Sequence, residues 1–252
     1  MDNERFEKGI SLVREAGAFL KSRMEEPCIE KNFAYDVKLR QDRESEEIIL
    51  GGIGKFFPGD GFLSEERGSR DTLSGYLWTV DPLDGTFNYS RGLPHCCVSV
   101  SCTGGGPDFG LVYDFFRQEL FSAQAGRGAF LNGARIHVSE TGSMKESVMC
   151  FGLMKGWKDI SSGVSVFNAF AAGVRKIRML GAAALDLCYV ASGRVDFFVE
   201  TGLKPWDTAA GSIIVREAGG IYHQYVSGET VLTYAGNGNL EMDKICRELA
   251  EK

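Results

Sequence analysis

The pattern of apolar residues changes near Ser147, and this change sets the class of fold. Before it, apolar residues gather in short β-rich runs separated by glycine-rich turns; the runs are YLWTV, CCVSVSC, FGLVYDFF, ELFSAQAG and AFLNGARIHVS. Runs of this length and spacing predict a largely antiparallel sheet. After Ser147, strand-like and helical segments alternate, which is typical of α/β structure. The sequence therefore predicts a mixed α+β and α/β protein.

Helices are predicted on both sides of this change. The chain opens with apolar residues at helical spacing from Phe6 to Leu20, ahead of Pro27. A second helix is predicted from Asp42 to Phe57. Further helices are predicted at 159–172, 182–191, 207–218 and 239–251, with strands between them at VMCFG, RKIRML and VDFFVE.

No internal repeat, low-complexity tract or Pro/Ser-rich linker interrupts the chain. A domain boundary near residue 145 should therefore be a packed interface and not a flexible connection. We expect one compact unit of two halves: residues 1–145 form an α+β half with the antiparallel sheet, and residues 146–252 form an α/β half packed against it.

Composition narrows the expected partners and location. The 252 residues carry 28 Lys and Arg against 34 Asp and Glu, a formal charge of -6, with no basic run that could track a phosphate backbone. The charged N-terminus lacks the pattern of a signal peptide, and no apolar stretch reaches the roughly 18 residues of a membrane span. We therefore expect a cytoplasmic protein that binds neither nucleic acid nor membranes.

The seven cysteines are odd in number, lie mostly in apolar surroundings and form no CxxC pair. In a reducing compartment such cysteines are expected to be buried, reduced thiols and not disulfides.

Acidic residues recur where apolar runs end. Three stretches show this pattern: SEE at 64–66, DPLDGT at 81–86 and WDTAAG at 206–211. Taken singly, each is typical of a turn, a helix cap or a solvated face. Carboxylates gathered in one cleft repel one another unless a divalent cation neutralises them, and oxygen ligands of this kind suit Mg²⁺. The three stretches together therefore favour a magnesium site.

The DPLDGT stretch also favours a phosphate site. Asp81 is predicted to end a strand, and Asp84 to cap a short helical turn that begins with Gly85 and Thr86. Free amides at a helix N-terminus beside a metal ion bind phosphate. Asp207 repeats the arrangement at the start of the helix predicted at 207–218.

Longer stretches carry a family resemblance that spans almost the whole chain. DPLDGTFN at 81–88 followed by GLP at 92–94, SEER at 64–67, RMLGAAALDLCYVASGRVDFFVE at 178–200 and WDTAAGSIIVREAGG at 206–220 resemble the signatures of the inositol monophosphatase family, in the same order. The resemblance implies a layered αβαβα sandwich, a homodimer, and a lithium-sensitive phosphatase with two or three Mg²⁺ ions per active site.

The resemblance also implies roles for individual residues. Asp42 and Thr86 match the pair that polarises the attacking water. Metal ligands are implied at Glu65, Asp81, Asp84 and Asp207 and at the carbonyl of Leu83, so most of them lie in the first half. The amides of Gly85 and Thr86 match the phosphate site, and substrate contacts are implied at Asp84, Gly181, Ala182, Ala183 and Glu200.

The implied reaction is direct hydrolysis of a small phosphorylated polyol or sugar by a metal-activated water. Inositol 1-phosphate is the favoured substrate, with fructose 1,6-bisphosphate or a dual specificity as the alternative. The chain departs from the usual family residues at Leu39, Gln41, Phe87 and Ala182. Phe87 is a variant associated with branches that also accept fructose 1,6-bisphosphate.

Two rival functions are considered. Cys188 and Arg194 fit the C-x5-R spacing of cysteine-dependent phosphatases, although the apolar residues around Cys188 recur at helical spacing and favour a core position. A family member with a vestigial site that acts by binding is the second rival, and loss of a metal carboxylate would mark it. All the matched carboxylates are present, which favours an enzyme.

Overall fold

The computed structural model of the protein describes residues 2–33, 37–153, 160–227 and 230–240, together with residues 242, 246, 248 and 249. The helices are α1 (Asp2–Arg23), α2 (Arg40–Phe56), α3 (Thr86–Ser90), α4 (Ile160–Ala171), α5 (Ala183–Ala191) and α6 (Pro205–Glu217). The strands are β1 (Ile29–Asn32), β2 (Val37–Leu39), β3 (Gly61–Ser64), β4 (Gly68–Arg70), β5 (Leu77–Asp84), β6 (Cys97–Thr103), β7 (Phe109–Asp114), β8 (Glu119–Gln124), β9 (Gly128–Leu131), β10 (Ala134–Ile136), β11 (Val148–Gly152), β12 (Lys176–Arg178), β13 (Phe197–Thr201), β14 (Ile221–Ser227) and β15 (Thr230–Gly236).

The β-rich runs form an eight-stranded sheet in the order β10-β9-β8-β7-β6-β5-β3-β4. Its neighbouring strands are antiparallel, except that β3 and β5 run parallel. The β9–β10 hairpin turns through Asn132 and Gly133, whose φ angles of 49° and 82° are those of a two-residue turn. Helices α1 and α2 cover one face, where Leu20 and Ile49 share a core with Trp78. The predicted antiparallel sheet is confirmed.

The alternating part of the chain forms a five-stranded sheet in the order β12-β11-β13-β15-β14. Helices α5 and α6 lie between the two sheets, and their apolar residues share one core with Phe121 of the first sheet and Phe198 of the second. Helix α4 covers the outer face, where Phe170 packs against Phe197. The layers are therefore, in order, helices α1 and α2, the eight-stranded sheet, helices α5 and α6, the five-stranded sheet and helix α4. This order confirms the predicted αβαβα sandwich.

Two helices begin two residues earlier than predicted, for the same reason. Asp42 and Asp207 occupy the third position of α2 and α6, and their carboxylates accept hydrogen bonds from the amides of Leu39 (2.7 Å) and Lys204 (2.7 Å). An acidic side chain that reaches back to the capping residue satisfies an amide that the helix leaves without a partner. The helix start therefore lies ahead of the acidic residue.

Some predictions lie beyond what this structure describes. The helix predicted at 239–251 falls mostly on residues outside the described ones. The division of the chain into halves at 1–145 and 146–252 stays a prediction. Within the described residues, no helix is long and apolar enough to cross a membrane.

Candidate active site

Asp81 and Asp84 lie on β5 at the edge of a cavity. Strand residues three apart normally point to opposite faces of a sheet. Here Asp81 pairs with Ser99 and Asp84 with Cys97, so two residues of β5 oppose the single residue Val98 of β6. This extra residue is a β-bulge, which shifts the alternation by one position. Both aspartates consequently line the same cavity.

The cavity has a volume of about 840 Å³ and gathers carboxylates from separate elements. Its acidic lining residues are Glu65 in the turn after β3, Asp81 and Asp84 on β5, Glu200 on β13 and Asp207 in α6. All five were predicted as site residues. The other lining residues are Asn32, Phe33, Val37, Leu83, Gly85, Thr86, Phe87, Leu153, Gly181, Ala183 and Leu203.

Two predicted site residues, Asp42 and Ala182, do not belong to the lining. Asp42 is buried beside it, and the hydroxyl of Thr86 lies 3.3 Å from its Oδ1 and 2.9 Å from the carbonyl oxygen of Leu83. Asp42 is thus connected to the cavity through Thr86. Ala182 is a buried residue that precedes α5.

The prediction that Asp84 caps the short helix α3 is wrong. Gly85 precedes α3 with φ of 85°, and a Cβ there would lie 2.9 Å from the carbonyl oxygen of His95. This left-handed turn and tight contact require glycine. The Asp84 carboxylate instead accepts a hydrogen bond from the amide of Ala184 (2.8 Å) and one from the Cys97 thiol (3.7 Å). Asp84 therefore joins β5 to the start of α5.

Burial and mutual repulsion disfavour ionisation of the cavity carboxyls. The pKa of Glu65 is raised to about 8, mainly by burial and next by the charge of Glu66. The pKa of Asp84 is also raised to about 8, mainly by burial and next by the charge of Asp207. Burial also raises the pKa of Asp207 to about 6. The pKa values of Asp81 and Glu200 lie well above the usual range, again through burial first and neighbouring carboxylates second. A cation in the cavity would remove this repulsion.

Burial also acts on Asp42. It raises the pKa of its carboxyl to about 7, although the hydrogen bond from the Leu39 amide opposes the shift.

The carboxylates share a cavity without converging on one point. As the side chains stand, no group of three Asp, Glu, His or Cys side chains in the described ranges is close enough to hold a metal ion. The donor chemistry nevertheless suits a hard cation, because the acidic lining offers only oxygen ligands.

Two residues that hold the site together were not predicted from the sequence. Glu46 on α2 is fully buried, and its Oε1 accepts hydrogen bonds from the amides of Glu66 (3.1 Å) and Arg67 (3.2 Å), next to Glu65. Its spacing of four residues from Asp42 puts both on one helical face, a signal that could have revealed it.

The second is Asn88 on α3. Its Nδ2 donates to the carbonyl oxygens of His95 (2.8 Å) and Leu180 (2.7 Å), which ties α3 to the segment before α5. No pattern in the sequence indicates this contact, because its partner carbonyls belong to the backbone.

The cysteines form no rival site. Cys188 lies fully buried on α5, and burial raises the pKa of its thiol well above the ordinary value. Arg194 donates to both carboxylate oxygens of Glu119, each at 2.6 Å, so its guanidinium is engaged elsewhere. These contacts support a core position for Cys188 and argue against a C-x5-R phosphatase loop. Each of the seven cysteines lies within the described residues, and they form no disulfide with one another.

Comparison with known proteins agrees with the resemblance in the motifs. A model of the inositol monophosphatase family matches residues 2–250. Nus factor SuhB of Pasteurella multocida (strain Pm70) is 39% identical over 214 residues, covering 84% of this chain and 80% of that protein. The fructose-1,6-bisphosphatase/inositol-1-monophosphatase of Thermotoga maritima is 37% identical over 243 residues, covering 93% and 90%. The solved structure of extragenic suppressor protein suhB from Bartonella henselae superposes with a TM-score of 0.88 at 32% identity, over 99% of both chains.

Proposed function

Because this chain belongs to the inositol monophosphatase family, we propose that it is a Mg²⁺-dependent phosphatase that hydrolyses small phosphomonoesters, with inositol 1-phosphate as the favoured substrate. The observation that carries this proposal is the set of acidic residues lining one cavity, Glu65, Asp81, Asp84, Glu200 and Asp207. The name of the Thermotoga relative, fructose-1,6-bisphosphatase/inositol-1-monophosphatase, joins two phosphatase activities and supports the same reaction class.

The metal requirement follows from the chemistry of the donors. Buried carboxylates whose pKa values are raised by burial and mutual repulsion are stabilised by a divalent cation. We assign two or three Mg²⁺ ions to Glu65, Asp81, Asp84, Asp207 and the carbonyl of Leu83. When bound, Mg²⁺ supplies neutralising charge at the phosphoryl group and lowers the pKa of a bound water.

The protein's own groups orient the reaction. The Thr86 hydroxyl connects the cavity to Asp42, so a proton released by the attacking water can pass through Thr86 to the Asp42 carboxylate. A carboxyl with pKa of about 7 is suited to this step near neutral pH. The first amides of a helix lack partners within the helix, and the amides of Gly85 and Thr86 are assigned to the phosphate oxygens. Gly181, Ala183 and Glu200 are assigned to the leaving group.

Other functions for the site stay open to test. Fructose 1,6-bisphosphate, alone or with inositol phosphate, is the alternative substrate. A family member that acts by binding, with a vestigial site, is the alternative class of function. One relative of this chain is named a Nus factor, a name that refers to no phosphatase activity. Retention of every matched carboxylate supports an enzyme. The cytoplasmic location and the homodimer also stay predictions.

The test is phosphate release from inositol 1-phosphate across a Mg²⁺ titration, with chelator as the zero point. We expect Asp84→Asn to lower kcat at least about a hundredfold, because it removes a charged ligand from the proposed metal site. The matched control is Asp71→Asn, which makes the same change at an exposed residue. Unchanged circular dichroism and melting temperature would exclude misfolding. Activity of Asp84→Asn within about tenfold of the wild type would contradict the proposal.

A further inference from the structure

A second cavity lies apart from the candidate active site, between α1 and the end of the eight-stranded sheet. Its volume is about 580 Å³, and it shares no lining residue with the cavity of carboxylates. We call it the α1–β8 groove. One side is formed by α1, and the other by β8, β9 and the turns beside them. We propose that this groove binds an extended acidic segment of a partner protein, a function independent of the proposed phosphatase.

The groove exists because α1 covers only part of the sheet. A Cβ at Gly9 would lie 2.8 Å from the side chain of Leu111, and a Cβ at Gly17 would lie 2.7 Å from that of Tyr113. Helix α1 therefore packs along β7 and runs in the same direction. Strands β8, β9 and β10 continue the sheet beyond β7. The space between α1 and these strands is the groove.

Most of the inner surface of the groove is apolar. Phe6 and Ile10 on α1 and Phe130 on β9 are partly buried, and Leu120 at the start of β8 is buried. A groove of this volume with a mainly apolar lining is of the size that takes up a ligand or a peptide side chain. An apolar side chain of the partner therefore fits against these residues.

Two buried polar side chains also line the groove. Ser122 and Gln124 on β8 are 8% and 7% exposed. The Ser122 hydroxyl makes no hydrogen bond with another described residue. Gln124 accepts from the Arg127 guanidinium at 3.4 Å, and its amide nitrogen donates to no described residue. Buried polar groups are normally hydrogen-bonded, and the backbone of an extended peptide supplies both donors and acceptors to such groups.

Three arginines surround the groove and give it positive charge. Arg14 and Arg127 line it, and the guanidinium of Arg135 on β10 lies 5.9 Å from the ring centre of Phe130. All three are exposed, and none forms an ion pair with a carboxylate of a described residue. Glu7 is the one acidic residue among the described lining residues. Unpaired cations gathered in this way, on a chain with a formal charge of -6, favour carboxylates on the partner.

The positions of two arginines set the spacing of the partner's carboxylates. Strand β8 runs opposite to β7, with Leu120 paired with Tyr113. Arg14 precedes the Tyr113 contact of α1 by less than one turn, so it lies towards the Leu120 end of β8, whereas Arg127 lies in the turn after the other end. Four residue steps of an extended chain span about 13 Å. Carboxylates at positions i and i+4 of the partner therefore reach both arginines, and the residue at i+2 points with them towards the apolar surface.

The test is fluorescence anisotropy with a labelled peptide that carries the sequence Glu-Ser-Phe-Ser-Glu between Gly-Ser ends. We expect saturable binding with a dissociation constant of about 100 μM or lower. A peptide with lysine in place of both glutamates should bind at least about tenfold more weakly, because it brings like charge to the arginines. A peptide with serine in place of phenylalanine should also bind more weakly. Added salt should weaken the binding of the first peptide.

Charge reversal on the protein provides the second arm. Arg14→Glu and Arg127→Glu should each raise the dissociation constant about tenfold or more. Arg175→Glu is the matched control, since it makes the same change at an exposed arginine ahead of β12 in the other sheet. The melting temperature and circular dichroism should be unchanged in all three variants. Phosphate release is measured separately, and its absence would overturn the proposed function while leaving the groove untouched.

Several outcomes would overturn the proposal. No saturable binding of the glutamate peptide, equal binding of the lysine peptide, or binding insensitive to both Arg14→Glu and Arg127→Glu would each do so. Displacement of the peptide by an equal concentration of inorganic phosphate would assign the groove to a small anion instead. Sedimentation that shows a wild-type dimer dissociated by Arg14→Glu would assign it to a second copy of this chain.

Discussion

Asn88 shows how one side chain can organise a site without touching the proposed metal ligands. Its amide nitrogen donates to the carbonyl oxygens of His95 and Leu180 and lies 3.3 Å from that of Gly181. These contacts fix α3 relative to the segment that lines the cavity at Gly181 and Ala183. The same segment leads into Ala184, whose amide donates to Asp84. Asn88 is therefore a positioning residue.

Asn88→Asp should weaken substrate binding more than it slows turnover. The substitution replaces a donor by an acceptor that faces carbonyl oxygens, so we expect KM for inositol 1-phosphate to rise about tenfold with a smaller change in kcat. The free energy of unfolding should fall by about 1–3 kcal/mol. Steady-state kinetics and denaturant unfolding measure the two effects. Asn239→Asp, at an exposed residue, is the control. Equal losses in kcat and in kcat/KM, with KM unchanged, would argue against a positioning role.

At the scale of elements, the packing of α6 against the eight-stranded sheet depends on close backbone approach. A Cβ at Gly110 of β7 would collide with the carbonyl oxygen of Ala210 and lie 3.0 Å from its Cα. A Cβ at Gly211 would lie 2.7 Å from the side chain of Leu187 on α5. Glycine at both positions lets α6, which carries Asp207, lie close to β7 and α5. The position of this carboxylate is therefore set by helix packing.

Gly110→Ala should destabilise the fold, because backbone atoms of α6 cannot move aside as a flexible side chain would. We expect a loss of about 1–3 kcal/mol in the free energy of unfolding, measured by urea titration. Gly51→Ala in α2 is the matched control: apart from its chain neighbours and the nearby backbone of its own helix, no atom of the described residues lies within 4 Å of its added Cβ. Alanine in that helix should stabilise by about 0.5–1 kcal/mol. Equal effects of the two substitutions would refute the packing argument.

For the whole molecule, the cavity carboxyls link stability to pH. In the folded protein the pKa is about 7 for Asp42, about 8 for Glu65 and Asp84 and about 6 for Asp207, whereas unfolded carboxyls titrate near 4. Between about pH 4 and pH 8 the folded state therefore binds more protons than the unfolded state. The free energy of unfolding contributed by these groups falls as pH rises through that window.

We therefore expect the melting temperature in chelator to fall between pH 5.5 and pH 8. Mg²⁺ should raise it more at pH 8 than at pH 6, because the cation competes with protons for the same carboxylates. Differential scanning fluorimetry measures both trends. Asp84→Asn should reduce the pH slope, whereas Asp71→Asn, at an exposed residue, should not. A melting temperature in chelator that rises over this range, or an equal Mg²⁺ effect at both pH values, would contradict this account.

The local features of this protein follow from its sequence alone. Alternating apolar runs predicted the antiparallel sheet, helical spacing predicted α1, and the asparagine and glycine between β9 and β10 form the turn that such a pair favours. Four carboxylates of the cavity, Glu65, Asp81, Asp84 and Asp207, were also predicted from acidic residues at the ends of apolar runs, and Glu200 was predicted from the family resemblance. These features depend on residues a few positions apart.

How those features meet depends on contacts between distant parts of the chain. The β-bulge that turns Asp81 and Asp84 to one cavity arises from pairing with β6. The Asp84 carboxylate binds an amide 100 residues away, and Asn88 binds a carbonyl 92 residues away. Such contacts use backbone groups that every residue carries, so no residue type marks them in the sequence. Their geometry exists only once the sheets and helices have packed.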